Sequence, residues 1–176
     1  MNSAIEWNSR YQKATDMPPP CEVVAAYTHL LPTTGTALDL ACGLGANALL
    51  LARHGLETYA WDYAETALER LQAKSEQVHI HTELRDVVNS PPSANSFDVI
   101  VVCHFLNRHL VPFLTQALKP NGLVFYQTFT RTSETGPKNP AFRLAENELL
   151  RLFADLQIVV YHEEGGNEAL LIARKH

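Results

Sequence analysis

Asp39, Gly43, Gly45 and Asp62 are the residues whose types and spacing bear most directly on chemistry. Residues 37–48 read Ala-Leu-Asp-Leu-Ala-Cys-Gly-Leu-Gly-Ala-Asn-Ala, and Asp62 follows Gly43 by nineteen residues. Gly43 and Gly45 let the backbone turn sharply and approach a ligand that a Cβ would obstruct. The helix start that follows offers unpaired N–H groups and a partial positive charge. A carboxylate at Asp62, near the end of a second strand, is placed to accept both hydroxyls of a ribose. The pattern is that of a pocket for a nucleoside-bearing ligand, and the G-x-G-x-x-A run from Gly43 to Ala48 is shared by two ligand classes. In one the turn receives a pyrophosphate; in the other it lies against an amino-acid moiety and a ribose. Asp39 favours the second class, because a carboxylate at the end of the first strand suits an ammonium and repels a phosphate. Asp86, after Thr82-Glu83-Leu84-Arg85, is placed to accept from an adenine amino group.

Short apolar runs alternating with helical patterns must position these residues, which is the signature of βαβ units and a mostly parallel sheet. Strands are expected at 37–40, 58–61, 78–84, 97–103, 123–128, 158–162 and 169–173. Helical spacing joins Ala64, Ala67, Leu68 and Leu71, then Val111, Leu114 and Leu118, then Leu149, Leu150 and Phe153. A helix is also expected over 47–54, with Gly55 after it, and Pro112 suits a first helical turn. The last two strands are separated only by residues 163–168, too few for a helical crossover, so an antiparallel hairpin is expected there. The expected fold is α/β: a Rossmann-like doubly wound sheet of seven strands, mostly parallel, with a C-terminal antiparallel β-hairpin and helices on both faces. A helical N-terminal stretch, residues 1–32, is expected as a lid on a core of residues 33–176, all in one domain.

The 176 residues suffice to bury roughly 70% of the unfolded surface, and 46% hydrophobic with 19% charged residues is ordinary globular composition. With 14 Lys and Arg against 19 Asp and Glu the formal charge is −5, so no broad basic surface is expected to follow nucleic acid. Cys21, Cys42 and Cys103 have no metal-ligand spacing and read as reduced thiols, with no metal expected. No signal-type h-region and no membrane-length apolar run is seen, so a soluble cytoplasmic protein is expected.

Beyond the turn, Trp61-Asp62, Arg85-Asp86, 97–102 (Phe-Asp-Val-Ile-Val-Val) and 118–123 (Leu-Lys-Pro-Asn-Gly-Leu) follow in order. Together these motifs, spanning about 7–173, resemble those of class I S-adenosylmethionine-dependent methyltransferases. Within that superfamily, Trp7-Asn8-Ser9-Arg10-Tyr11 and the run 43–48 are similar to the small tellurite-resistance and thiopurine-like groups, which act on small soft nucleophiles. The resemblance implies S-adenosylmethionine as cofactor, with Arg10 and Tyr11 as cofactor-carboxylate and lid contacts. Ala41, Cys42, Gly43, Gly45 and Asn47 in the turn, with Tyr63, Val87 and Cys103 at the strand ends, complete the expected cofactor contacts beside Asp39, Asp62 and Asp86. The sequence departs from the family at Ala41, where the first glycine usually stands, at Ala64, where Ser is frequent, and at Ala46, where the tellurite-like group often has Arg.

Methyl transfer is an in-line displacement that needs alignment and exclusion of water, and an oxygen or nitrogen acceptor adds the need for a base. His104, just beyond the fourth strand, is the first candidate for base or substrate contact. Phe105 is placed to face a sulfonium, and Arg108 and His109 are alternatives on the next helix. The long polar stretch 128–143 carries Arg131, Lys138 and Arg143, which can receive an anionic substrate, and reads as a lid that orders with the cofactor. The expected catalytic pair is therefore His104 and Arg131. With no insertion between Cys103 and Ile158 large enough for a recognition domain, a small-molecule acceptor is expected. Two other readings stay open: an NAD(P)-dependent oxidoreductase or dinucleotide sensor, and a non-catalytic cofactor-binding partner of another methyltransferase.

Overall fold

The computed structural model describes residues 3–163 and 165–176. Met1, Asn2 and Glu164, which fall in the expected lid and hairpin connection, lie outside the described residues. The strands are β1 (Thr36–Leu40), β2 (Glu57–Asp62), β3 (Ile80–Leu84), β4 (Phe97–Cys103), β5 (Leu118–Phe129), β6 (Gln157–His162) and β7 (Glu168–Arg174). They form one sheet in the order β3-β2-β1-β4-β5-β7-β6. The first five are parallel; β7 pairs antiparallel with both β5 and β6. This is the expected mostly parallel sheet with a C-terminal antiparallel pair. The chain reverses direction across the sheet between β1 and β4, and in such folds ligands bind outside the carboxyl ends of the strands at that reversal.

Both faces of the central strands are covered, which explains why they read as continuous apolar runs. Leu38, Leu40, Ile100, Val102, Val124 and Tyr126 point to one core, which Leu110, Leu114, Leu149 and Phe153 complete. Ala37, Val99, Val101, Leu123, Phe125, Leu170 and Ile172 point to the other, with Val23, Val24 and Leu51. The helices are α1 (Ala4–Lys13), α2 (Glu22–Ala25), α3 (Ala46–His54), α4 (Glu65–Lys74), α5 (Val111–Ala117) and α6 (Glu148–Leu152). Helix α1 is started by a Ser3–Glu6 capping box but buries none of its residues. It is held by polar contacts to α4: Asn8 Oδ1 accepts from the Thr66 N–H at 3.0 Å, and the Arg70 guanidinium donates to the Tyr11 carbonyl and, at 2.7 Å, to that of Ala14.

Several boundaries differ from expectation. Leu118 opens β5 opposite Phe97 instead of extending α5, and a register shift between Phe97 and Val99 absorbs the irregularity. β3 begins at Ile80, because Val78 closes a turn with its N–H on the Ser75 carbonyl. The helix entered at Glu22 ends at Ala25 and gives way to a 3-10 turn, Thr28–Leu30. β6 is an edge strand whose pairing with β7 shifts register between Ile158 and Val160; Ile158 and Val159 are 37% and 36% exposed. Among the described residues no helix is long and apolar enough to cross a membrane, and Cys21, Cys42 and Cys103 are free thiols.

Candidate functional site

The floor of the site is the turn between β1 and α3. Ala41, Gly43 and Gly45 all take left-handed backbone conformations, with φ of 56°, 52° and 78°, so the winding that glycine supplies freely is here supplied in part by an alanine. Asp39, 1% exposed, accepts from the Ala48 N–H at 3.0 Å with its Oδ2 and is also hydrogen-bonded by the Asn47 side chain. Asn47 in turn accepts from the Cys21 N–H at 2.9 Å, joining the start of α2 to this floor. Burial pushes the Asp39 carboxyl up to about 7, against the opposing effect of those hydrogen bonds. Asp62 is also buried. Its two oxygens accept from the Gly43 N–H at 2.8 Å and the Ala64 N–H at 2.9 Å, and burial raises its carboxyl despite these bonds. The Ala64 position therefore lacks its own cap but is served by Asp62, while Asn8 serves Thr66. Burial pushes the Cys42 thiol well up, and its N–H donates to the Trp61 carbonyl at 3.0 Å.

Helix α1 brings Tyr11 over this turn: a Cβ added to Gly43 would lie 2.9 Å from the Tyr11 hydroxyl. Burial, then Asp62, raises the Tyr11 phenol. Its ring stacks on Trp7 at 5.5 Å. Arg10 is exposed, its guanidinium 4.9 Å from the centre of the Trp7 ring. At the end of β3, Asp86 folds back on its own turn. Its Oδ1 accepts from Val88 N–H at 3.0 Å and its Oδ2 from the Asn89 side chain at 2.8 Å. This Asx-type turn supplies donors to both oxygens, and an adenine amino group would be an additional one. Val87 is buried in the core. Arg85, to which the Arg85-Asp86 motif gave no role of its own, lies 3.9 Å over the Trp61 ring and donates to the Ser90 and Pro91 carbonyls, holding this loop against the end of β2.

The end of β4 carries the most connected group. His104 has φ of 54°, an uncommon conformation for a side chain of this size. Its N–H donates to the Gln127 carbonyl at 2.9 Å, and its Nε2 lies 3.0 and 3.1 Å from the two Glu168 oxygens. Gln127 Nε2 donates to Glu168 at 2.6 Å, while Gln127 Oε1 accepts from the Val23 N–H at 2.7 Å. The His104 ring stacks on Phe129, centres 4.7 Å apart. The Glu168 hydrogen bond raises the His104 imidazolium pKa above its usual range. Burial pushes Glu168 up, but the bonds from His104 and Gln127 outweigh it and leave the carboxyl lowered. The thiols of Cys21 and Cys103 are hydrogen-bonded to each other beside this group. Sequence reasoning placed Glu168 in a connecting loop and passed over Gln127; a polar Gln inside an apolar strand was the available signal.

The remaining candidates divide. Arg108 is a clamp: it donates to Glu148 at 2.6 and 2.9 Å and to the Ala141 and Arg143 carbonyls. Arg143 donates to the carbonyls of Pro137, Ser133 and Thr135, so its fork closes the loop instead of awaiting an anion. These two arginines tie down the stretch expected to be a free lid. Arg131 is exposed, with its N–H on the Leu144 carbonyl, and no hydrogen bond or ion pair joins it to His104 among the described residues. The partner of the His104 ring is Glu168. Phe105 is half-buried against the core, its carbonyl accepting from the buried Tyr126 hydroxyl at 2.8 Å. No group of three His, Cys, Asp or Glu residues suited to a metal ion occurs among the described residues.

A sheet in this order, with a glycine turn after β1 and carboxylates at the ends of β1 and β2, defines the class I methyltransferase fold. The chain matches the family described as Tellurite resistance protein TehB over residues 6–170; it belongs to that family. The TehB structure from Haemophilus influenzae superposes with a TM-score of 0.76 at 25% identity, covering 97% of this chain and 67% of that one. Among curated relatives, the 2-phytyl-1,4-naphtoquinone methyltransferase of Trichormus variabilis is 34% identical over 120 residues, 61% of this chain and 50% of its own length. Hemagglutinin 1 of Eikenella corrodens is 29% identical over 139 residues, 73% of this chain and 46% of its own length. The chain spans about half the length of the curated relatives it matches.

Proposed function

We propose that this chain transfers the methyl group of S-adenosylmethionine to a small-molecule acceptor. The observation that carries the reading is Asp39. Its carboxylate takes the Ala48 N–H in the first turn of α3, the kind of donor a pyrophosphate would need, and adds a buried negative site that repels phosphate. An ammonium fits the same place, and Asp62 beyond Gly43 fits a ribose. Membership of the TehB family and the quinone methyltransferase among the relatives support the reading.

In this reading Asp39 and the 41–47 turn, including Cys42, Gly43, Gly45 and Asn47, hold the methionine part. Asp62 and Tyr63 hold the ribose, and Asp86 and Val87 flank the adenine. Tyr11 and Arg10 close over the turn, and Cys103 and His104 border the acceptor. The bound sulfonium supplies an activated methyl; the chain supplies alignment, exclusion of water and, at His104, a proton acceptor.

Calorimetry of the purified protein with S-adenosylmethionine, S-adenosylhomocysteine, NAD and NADP tests it. The two adenosyl ligands are expected to bind, and Asp62→Ala to weaken them by about 1–3 kcal/mol through lost charged hydrogen bonds. Binding of a nicotinamide dinucleotide alone would overturn the reading.

A further inference from the structure

Three polar side chains from three different strand ends meet behind the expected acceptor position, and the glycine turn uses none of them. Glu168 at the start of β7 receives His104 Nε2 at 3.0 and 3.1 Å. Gln127 in β5 donates to the same carboxylate at 2.6 Å. The Gln127 amide has a defined orientation, because its oxygen accepts from the Val23 N–H of α2, which turns its NH2 toward Glu168. Phe129 lies flat on the other side of the imidazole. The His104 backbone is fixed at φ of 54° and bonded to Gln127. Strain of this kind persists where the surroundings over-determine it, and it concentrates at working sites.

A carboxylate at Nε2 selects the tautomer that carries its proton there, so the lone pair is on Nδ1. Nδ1 has no hydrogen-bond partner among the described residues. The titratable groups acting on the ring are Glu168 from β7 and the thiol of Cys21, from the turn before α2; the Cys103 thiol of β4 interacts with Cys21 and Glu168 in turn.

We propose that Glu168 and Gln127 are positioning residues that fix His104 with Nδ1 as the base for an acceptor with a proton to lose, and that this acceptor is a hydroxyl of phenol or enol type. The proposal rests on the methyl-transfer reading above. In the step, an acceptor oxygen lone pair forms the O–C bond while the C–S bonding pair returns to sulfur, leaving a neutral thioether. The acceptor proton passes to Nδ1 and from there to water. An aromatic thiol, already anionic near neutral pH, needs no such base, whereas a phenol, like tyrosine with pKa near 10, does.

The test compares catechol and thiophenol as probe acceptors with S-adenosylmethionine, for wild type and Glu168→Gln, across pH. The expected result is that Glu168→Gln lowers the ratio of catechol to thiophenol turnover by about tenfold or more. It also moves the rising limb of the catechol pH profile toward acid, since loss of the carboxylate lowers the imidazole pKa. A purely structural ion pair would depress both probes equally and leave the limb in place, which would overturn the proposal. Nitrogen NMR of wild-type His104 covers the case of a variant that fails to fold: the Nε2–H tautomer is expected, and the Nδ1–H tautomer overturns the assignment. Wild-type protein that binds S-adenosylmethionine yet methylates thiophenol alone, or neither probe, also overturns it. Failure to bind S-adenosylmethionine at all overturns the methyl-transfer reading instead.

Discussion

Ala41 winds left-handed with a Cβ attached, a conformation that costs an L-residue about 1–2 kcal/mol. Glycine would remove that strain while returning about 0.4–1 kcal/mol of chain entropy to the unfolded state. Strain outweighs entropy, so Ala41→Gly is expected to raise stability by roughly 0.5 kcal/mol, read as a higher urea midpoint with unchanged slope; a lower midpoint would mean that Cβ packing decides. Asp39 carries a second prediction. It holds its proton to about pH 7 in the fold, against 3.8 ordinarily. The folded state thus binds the extra proton between those values, and this group's contribution to stability falls as pH rises through that window. A ligand ammonium favours the ionised form, so S-adenosylmethionine binding near pH 6 should expel close to one proton, as measured by calorimetry in buffers of different ionisation enthalpy. Near pH 8 the release should vanish, and Asp39→Asn should abolish it. The sequence showed both aspartates and the turn, because their chemistry is local. The His104, Gln127 and Glu168 group was not legible: Glu168 is 64 residues from His104 and 41 from Gln127, and only the antiparallel placement of β7 beside β5 brings it in.

Among the elements, α1 depends on its neighbours most plainly. It buries no residue, so its docking comes from the hydrogen bonds of Asn8 and Arg70 and from the approach of Tyr11 to Gly43. Arg70→Met removes the donor to the Tyr11 and Ala14 carbonyls. Because the contact is partly exposed, about 1 kcal/mol of docking is expected to go with it. S-adenosylmethionine affinity should fall several-fold while thermal unfolding of the core barely moves; unchanged affinity would show that α1 does not cover the ligand. Strand and helix types were readable from period and punctuation. Leu118 was not, because its spacing from Leu114 fits a helix, whereas its pairing with Phe97 is non-local. The stretch after β5 misled for a related reason: Arg143 looks like an anion receptor in one dimension and proves to be a staple of the loop's own carbonyls, with Arg108 from beyond β4 as a second.

At the scale of the whole molecule, the apolar runs of β1, β4, β5 and β7 specified a sheet buried on both faces, and the short connection before β7 specified its antiparallel end. The charge balance acquires a sharper meaning in three dimensions. Of the 14 Lys and Arg, Arg70, Arg85, Arg108, Lys119, Arg143 and Lys175 are engaged in internal hydrogen bonds. Several of the cationic side chains that the composition counts thus serve to hold the chain's own loops and strand ends. The register shift in β6 has its own consequence. An edge strand with two exposed β-branched residues is a template on which a neighbouring molecule can add a strand. The irregularity between Ile158 and Val160 interrupts the row of outward N–H and C=O groups beside those two residues, so an incoming strand meets a broken ladder. A crowded population of this protein is thereby protected at this edge by one irregularity in its backbone.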